Sequence, residues 1–85
     1  MSWELVKTEQ GILKDRREEL GLTQQQVADK ASIQIRQYQK FENGERNLSS
    51  SSFRIACAVL KALELDVGKY NDGEYSFKRY DTMKE

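Results

Sequence analysis

Few side chains in this sequence could perform catalysis. The 85 residues include no His and a single Cys, Cys57, so His-based catalytic triads, His–metal sites and thiolate metal clusters are excluded. The two glycine-rich phosphate-binding motifs, G-x-x-x-x-G-K and G-x-G-x-x-G, are both absent. The adjacent carboxylates Glu18 and Glu19 are flanked by Arg16 and Arg17, which is typical of a solvated, charged helix face. We therefore expect a binding module with no enzymatic activity and no metal or cofactor.

Positive charge is concentrated in the middle of the chain. Acidic and basic residues balance at 14 each. Residues 30–54, however, carry five basic and two acidic groups, whereas residues 1–29 carry four basic and six acidic groups, and residues 55–85 carry five and six. A local positive excess combined with long amide and guanidinium side chains is suited to a partner that bears phosphate groups.

Helices must position these side chains. The sequence predicts a first helix over residues 8–20, ended by Gly21 in the left-handed conformation. Thr23 and Gln26 have the T-x-x-Q spacing of a capping box, which predicts a second, short helix over residues 24–30.

A tight turn then leads to a third helix, predicted over residues 35–42 and ended by Asn43 and Gly44. Tyr38 and Phe41 are three residues apart and define its buried face. The residues left to face outward are Gln34, Ile35, Arg36, Gln39 and Lys40.

A fourth helix is predicted over residues 53–63, with the serines before it supplying the cap. Its apolar face has helical spacing and consists of Phe53, Ala56, Leu60 and Leu63. We interpret Cys57 as a small buried hydrophobic residue. Residues 67–70 are predicted to form a last helical turn.

The two ends of the chain are less sharply patterned. Residues 1–7 are predicted to be an N-terminal arm, either strand-like or packed on the domain, and residues 74–77 alternate like a short strand. The tail, residues 71–85, is a candidate for dimerisation. Aromatic residues in and beside it either cover the edge of the core or build an interface; they are Tyr70, Tyr75, Phe77 and Tyr80.

Length and composition predict one small soluble domain. No apolar run is long enough for a membrane span, and no signal peptide follows Met1. The lone cysteine suits a reducing compartment, so we expect a cytoplasmic protein.

Two short helices joined by a tight turn, with polar and basic side chains outward on the second, form a helix-turn-helix. Residues 13–46 resemble the lambda-repressor-like helix-turn-helix family, which includes phage repressor, Cro and xenobiotic-response-element regulators. The resemblance extends more loosely to residue 70. The matching motifs are Arg17, Leu20-Gly21-Leu22-Thr23-Gln24, Val27-Ala28 and Glu42-Asn43-Gly44-Glu45-Arg46.

The resemblance implies an all-α, five-helix domain over residues 8–70 that binds double-stranded DNA as a homodimer. It implies a role for each matching position. The base-reading positions are Gln34, Ile35, Arg36 and Lys40. The DNA-backbone positions are Gln24, Asn43 and Arg46. Arg17 and Glu42 match a structural ion pair. No membrane and no small-molecule effector is implied.

The sequence departs from the family pattern at several positions. Ser32 stands where glycine commonly makes the turn, Gln34 where Ser or Thr usually caps the reading helix, and Tyr38 where an aliphatic core residue is usual. The interval between Gly44 and Leu63 is also about one helical turn longer than usual.

Two functions remain open at this point. The first is a sequence-specific transcriptional regulator that reads the major groove with its third helix. The second is a protein-interaction or antitoxin-like module on the same fold, for which DNA binding is secondary. The balanced net charge favours the second, and the local positive excess favours the first.

Overall fold

Five α-helices form the body of the protein in the computed structural model, which describes residues 2–5, 8–75 and 77–80, with side chains for residues 8–75. The helices are α1 (Glu9–Glu19), α2 (Gln24–Ala31), α3 (Ile35–Asn43), α4 (Phe53–Ala62) and α5 (Val67–Asn71). The predicted five-helix, all-α body is confirmed. Within the described segments, no helix combines the length and the apolar character needed to cross a bilayer.

Side-chain caps determine where the first two helices begin. The Thr8 hydroxyl accepts a hydrogen bond from the Gly11 N–H at the start of α1. At the start of α2, the Thr23 hydroxyl accepts from the Gln26 N–H at 3.1 Å, and the Gln26 side-chain carbonyl accepts from the Thr23 N–H at 2.8 Å. The predicted capping box is therefore confirmed, because both of its reciprocal bonds form.

Residues in the left-handed conformation follow all five helices, and three of them flank α2 and α3. Gly21 follows α1 with φ 69° and Gly44 follows α3 with φ 78°. Ser32 ends α2 with φ 57°, a conformation that is unfavourable for a residue with a Cβ atom. The Ile33 N–H donates to the Ala28 carbonyl at 3.0 Å. The chain therefore turns within a few residues, and α3 packs against α2.

Helix α4 differs from its predicted packing at its first residue. Ser52 caps the helix by accepting from the Ile55 N–H at 3.2 Å, yet Phe53 is 78% exposed. The predicted core face is therefore wrong at Phe53, because the first turn of α4 extends past the core. Leu60 and Leu63, two or more turns further on, are buried.

The core lies where α2 meets α3 and α4 and where α1 meets α3. Helix α2 packs against both α3 and α4, and α1 packs against α3. The largest fully buried side chains are Tyr38, Phe41, Leu13, Leu48, Leu63, Val27 and Val59. Ala28 is also fully buried, and its small side chain allows the close approach of a neighbouring helix. Cys57 is half-buried on α4 and carries a free thiol.

A two-stranded antiparallel sheet joins the segments near the two ends of the sequence. Strand β1 (Ser2–Leu5) pairs with β2 (Phe77–Tyr80), and Trp3 lies opposite Arg79. The strand-like alternative for the N-terminal arm is the one observed. The second strand starts three residues later than predicted, because residues 74 and 75 belong to a turn. Residues 1, 6, 7, 76 and 81–85 of the predicted arm and tail lie outside the described residues.

Two of the tail aromatics cover the edge of the core. Tyr70 and Tyr75 are half-buried and pack against the core cluster. The Tyr70 hydroxyl donates to Glu9 at 2.8 Å, and the Tyr75 hydroxyl accepts from the Asp66 N–H at 3.1 Å. Phe77 and Tyr80 are in β2, and their side chains lie outside the described part of the chain.

Candidate nucleic-acid interface

Helix α3 has one buried face and one exposed face. Tyr38, Phe41 and Glu42 are buried against the rest of the domain. Arg36 and Lys40 are exposed on the opposite side. Because residues four apart lie on one side of a helix, these two positive side chains lie next to each other. The pattern of apolar residues in α3 thus leaves a basic surface in solvent.

The residues at the start of α3 differ from one another in exposure. Gln34 is the N-cap residue of α3, is exposed, and makes no capping hydrogen bond with its side chain. Ile35 was predicted to face outward, but it is half-buried and packs against the core cluster. Its aliphatic side chain gains from this burial, so only part of Ile35 remains on the surface.

Arg17 and Glu42 form a bidentate ion pair between α1 and the end of α3. Arg17 Nε donates to Glu42 Oε2 at 2.7 Å, and Arg17 Nη2 donates to Glu42 Oε1 at 3.2 Å. A third guanidinium nitrogen, Nη1, donates to the Leu22 carbonyl at 3.0 Å. Glu42 is only 7% exposed, and a bidentate arginine is the partner that best offsets its loss of water.

Two further side chains complete the surroundings of the Glu42 carboxylate. The Tyr38 hydroxyl donates to Oε2, and the Gln24 amide donates to Oε1 at 3.0 Å. Each carboxylate oxygen therefore accepts two hydrogen bonds. This arrangement ties α1, α2 and α3 together through one buried group, which we call the Glu42 cluster (Arg17, Gln24, Tyr38 and Glu42).

The protonation states in the Glu42 cluster follow from these contacts. Burial alone would raise the pKa of Glu42, but the hydrogen bonds from Arg17, Tyr38 and Gln24 outweigh it and hold that pKa below its usual range. The hydrogen bond to Glu42 raises the pKa of Arg17. Burial, together with the same carboxylate, raises the pKa of Tyr38. At neutral pH Glu42 is therefore charged, and the Tyr38 hydroxyl keeps its proton.

Gln24 also contacts α3 directly. Gln39 Nε2 donates to Gln24 Oε1 at 3.2 Å. Both side chains are half-buried, so the amide at the start of α2 braces the middle of α3. Neither Tyr38 nor Gln39 was predicted to take part in the site. The Tyr38–Glu42 spacing of four residues is the signal that could have revealed the first contact.

The remaining predicted backbone positions lie at the end of α3. Asn43 is the last residue of α3, and Arg46 follows two residues after Gly44; both side chains are exposed. The Glu45 and Arg46 N–H groups donate to the Lys40 carbonyl at 3.0 and 3.2 Å. These bonds close the helix end and hold Asn43 and Arg46 beside the exposed face of α3.

The exposed charge of α3 is positive. Glu42 is the only carboxylate in α3 and is buried against Arg17. The other carboxylate in α2 and α3, Asp29, is exposed and accepts from Gln25 Nε2 at 2.8 Å. The exposed charges of α3 are thus those of Arg36 and Lys40, and such a surface attracts phosphates.

Comparison with protein families agrees with this geometry. A family model described as "Helix-turn-helix" matches residues 13–67, which is more than half of the chain. The match contains α2, α3, α4 and the Glu42 cluster. The searches of curated proteins and of solved structures found no match. On the extent of the family match, the chain belongs to the helix-turn-helix family of the lambda repressor and Cro type, whose members are DNA-binding regulators.

Proposed function

We propose that this protein is a sequence-specific transcriptional regulator that inserts α3 into the major groove of double-stranded DNA. The observation that carries the proposal is the division of α3 into a buried face held by Glu42 and an exposed face that bears Arg36 and Lys40. The major groove is about 12 Å wide and admits one α-helix. A braced helix with exposed basic and amide side chains is suited to that groove.

Each of the predicted base-reading residues has chemistry that fits a base edge. Arg36 can pair with O6 and N7 of guanine, and Gln34 can pair with N6 and N7 of adenine. Lys40 can donate to guanine or to a phosphate. Ile35 is half-buried, and its remaining surface is suited to contact with a thymine methyl group.

Gln24, Asn43 and Arg46 are proposed to contact the DNA backbone. Gln24 lies at the first position of α2, where unpaired N–H groups and the helix dipole favour an anion. Asn43 is the last residue of α3, and Arg46 lies three residues beyond it, at the C-terminal end of the exposed face. Contacts on both sides of a reading helix set its register on the duplex.

A homodimer on a two-fold site completes the proposal. One nine-residue helix can reach only a few bases, so a second copy supplies the affinity and specificity that one half-site lacks. Half-sites for such dimers are centred about 34 Å apart, one turn of DNA. We also propose a cytoplasmic location, which the free thiol of Cys57 supports.

Selection from a random DNA library, followed by titration of a selected site at several salt concentrations, tests the proposal. We expect one enriched two-fold motif and an affinity that falls steeply with salt, because phosphate contacts release counterions. Recovery of no motif, together with no salt-dependent binding to any duplex, would refute the proposal.

A protein-interaction or antitoxin-like function is the second candidate. It is favoured by the exposed Phe53, which borders an open groove of about 690 Å³ between α4 and α5. The groove is lined in part by Cys57, Leu60 and Val67. If this were the main function, DNA binding would be weak and without sequence preference, and library selection would recover no motif.

A further inference from the structure

Gln39 lies at the edge of the exposed face of α3. It is three residues after Arg36 and four before Asn43, so all three side chains lie on adjacent parts of the helix surface. Unlike those two residues, Gln39 is half-buried and is held from behind by Gln24. The contact with Gln24 therefore determines which atom of the Gln39 amide faces outward.

The buried carboxylate of Glu42 determines the orientation of the Gln24 amide. A charged carboxylate only accepts hydrogen bonds, so the Gln24 atom 3.0 Å from Glu42 Oε1 must be the amide nitrogen. The carbonyl oxygen of Gln24 consequently faces Gln39. An amide turned the other way would place two oxygens against each other inside the domain.

The orientation of Gln24 in turn determines that of Gln39. The Gln24 oxygen needs a donor, and Gln39 Nε2 supplies it at 3.2 Å. The Gln39 oxygen then lies at the outer end of the side chain. Among the described residues, no buried side-chain oxygen or nitrogen lacks a partner, and no donor to the Gln39 oxygen is observed, so this oxygen reaches solvent.

We infer that Gln39 is a specificity-determining residue that presents a hydrogen-bond acceptor to the major groove. This inference rests on the proposed function. Adenine N6 and cytosine N4 are donors in the major groove, whereas guanine O6 and thymine O4 are acceptors. At the base that Gln39 faces, the protein selects adenine or cytosine over guanine or thymine on one strand.

Hydrogen exchange of side-chain amides in the DNA-free protein tests whether Glu42 orients Gln39 through Gln24. We call these two successive hydrogen bonds, from Gln39 to Gln24 and from Gln24 to Glu42, the relay. We expect the NH₂ protons of Gln24 and Gln39 to exchange more slowly than those of exposed Gln26. In Gln24→Met, which keeps the volume of the side chain but not its amide, Gln39 should lose this protection. Equal exchange rates at Gln24, Gln39 and Gln26 would overturn the inference without touching the proposed DNA binding.

Selection from a random DNA library tests the consequence for specificity. The position read by Gln39 is the one whose preference disappears in Gln39→Ala. There the unchanged protein should favour adenine or cytosine by about fivefold, which corresponds to one hydrogen bond of about 1 kcal/mol. Gln39→Glu loses the hydrogen bond to Gln24 Oε1, but it should still favour adenine or cytosine, because a carboxylate only accepts hydrogen bonds and has no donor to turn toward the groove.

The remaining variants separate the relay from a general loss of binding. Gln24→Met frees the Gln39 amide to turn, so the preference should fall to about twofold or less. The control Gln25→Met, one residue further along α2, should keep it. A preference for guanine or thymine at this position, or its reversal in Gln39→Glu, would overturn the inference. Absence of DNA binding by the unchanged protein would refute the proposed function as well, and the exchange measurement distinguishes the two failures.

Discussion

We expect Arg36 to matter for DNA binding and little for folding. It is exposed, and none of the hydrogen bonds observed among the described residues uses its side chain. We expect Arg36→Ala to weaken binding to a selected DNA site by about 1–3 kcal/mol and to relax the preference at one base pair per half-site.

Titration of DNA variants by fluorescence anisotropy measures this effect. Removal of a comparable exposed charge on α4, in Lys61→Ala, provides the control and should leave the base preference unchanged. The free energy of unfolding of Arg36→Ala, measured by thermal denaturation, should differ from that of the unchanged protein by no more than about 0.5 kcal/mol. An unaltered base preference would remove Arg36 from the reading surface.

Glu42 has the opposite character, because it is buried and fully hydrogen-bonded. Replacing either member of the pair leaves the other charge buried without its main partner. We expect Arg17→Met and Glu42→Gln each to destabilise the domain by about 1–3 kcal/mol or more. The double variant should lose less than the sum of the two single losses. Urea unfolding gives the free energy of unfolding of the unchanged protein, the two single variants and the double variant. Additive losses near zero would contradict the coupling between Arg17 and Glu42.

The lowered pKa of Glu42 also predicts how stability changes with pH. The carboxyl group has an ordinary pKa near 4.5, which applies to the unfolded chain, and a lower pKa when folded. Its contribution is therefore complete above about pH 4.5 and is lost as the pH falls through the folded value. Glu42→Gln should show a shallower loss of stability on acidification than the control Glu45→Gln at an exposed position. Parallel curves for the two variants would contradict this assignment.

At the scale of elements, the turn between α2 and α3 carries a local cost. Ser32 has φ 57°, where glycine is unstrained and a Cβ atom is unfavourable. We expect Ser32→Gly to raise the free energy of unfolding by about 0.5–1 kcal/mol, the gain in the turn exceeding the added entropy of the unfolded chain. Glu64→Gly, at φ 58° after α4, should act in the same direction.

Chemical denaturation of these variants gives the measurement, with Ser50→Gly as the control. Ser50 lies in the 3₁₀ turn with no positive φ, so glycine there should destabilise. If Ser32→Gly were as destabilising as Ser50→Gly, the left-handed turn would not be the source of the cost.

At the scale of the whole molecule, the proposed dimer makes a prediction about DNA spacing. Two copies that contact each other must read half-sites on the same side of the duplex, about one helical turn apart. Inserting five base pairs between selected half-sites rotates one of them to the opposite side. Affinity should then fall to that of a single half-site, and sedimentation should show one bound copy in place of two. Equal affinity at both spacings would contradict dimeric binding.

Local patterns were sufficient to predict the helices and the exposed residues at the centre of the interface. Thr23 and Gln26 mark the start of α2, and Gly44 marks the end of α3, because caps and left-handed turns depend on neighbouring residues alone. The three-residue spacing of Tyr38 and Phe41 identified the buried face of α3, and thereby left Arg36 and Lys40 outside. The resemblance to a known family added the pairing of Arg17 with Glu42.

Tertiary structure decided what depends on distant parts of the chain. Phe53 has the spacing of a core residue but lies beyond the end of the core, and Ile35 is partly covered by neighbours that helical spacing does not reveal. The pairing of β1 with β2 joins segments about 75 residues apart, so no local pattern could select the strand over a packed arm. The orientation of Gln39 depends on hydrogen bonds from Gln39 to Gln24 and from Gln24 to the buried Glu42 carboxylate, and these form only when α2 packs against α3.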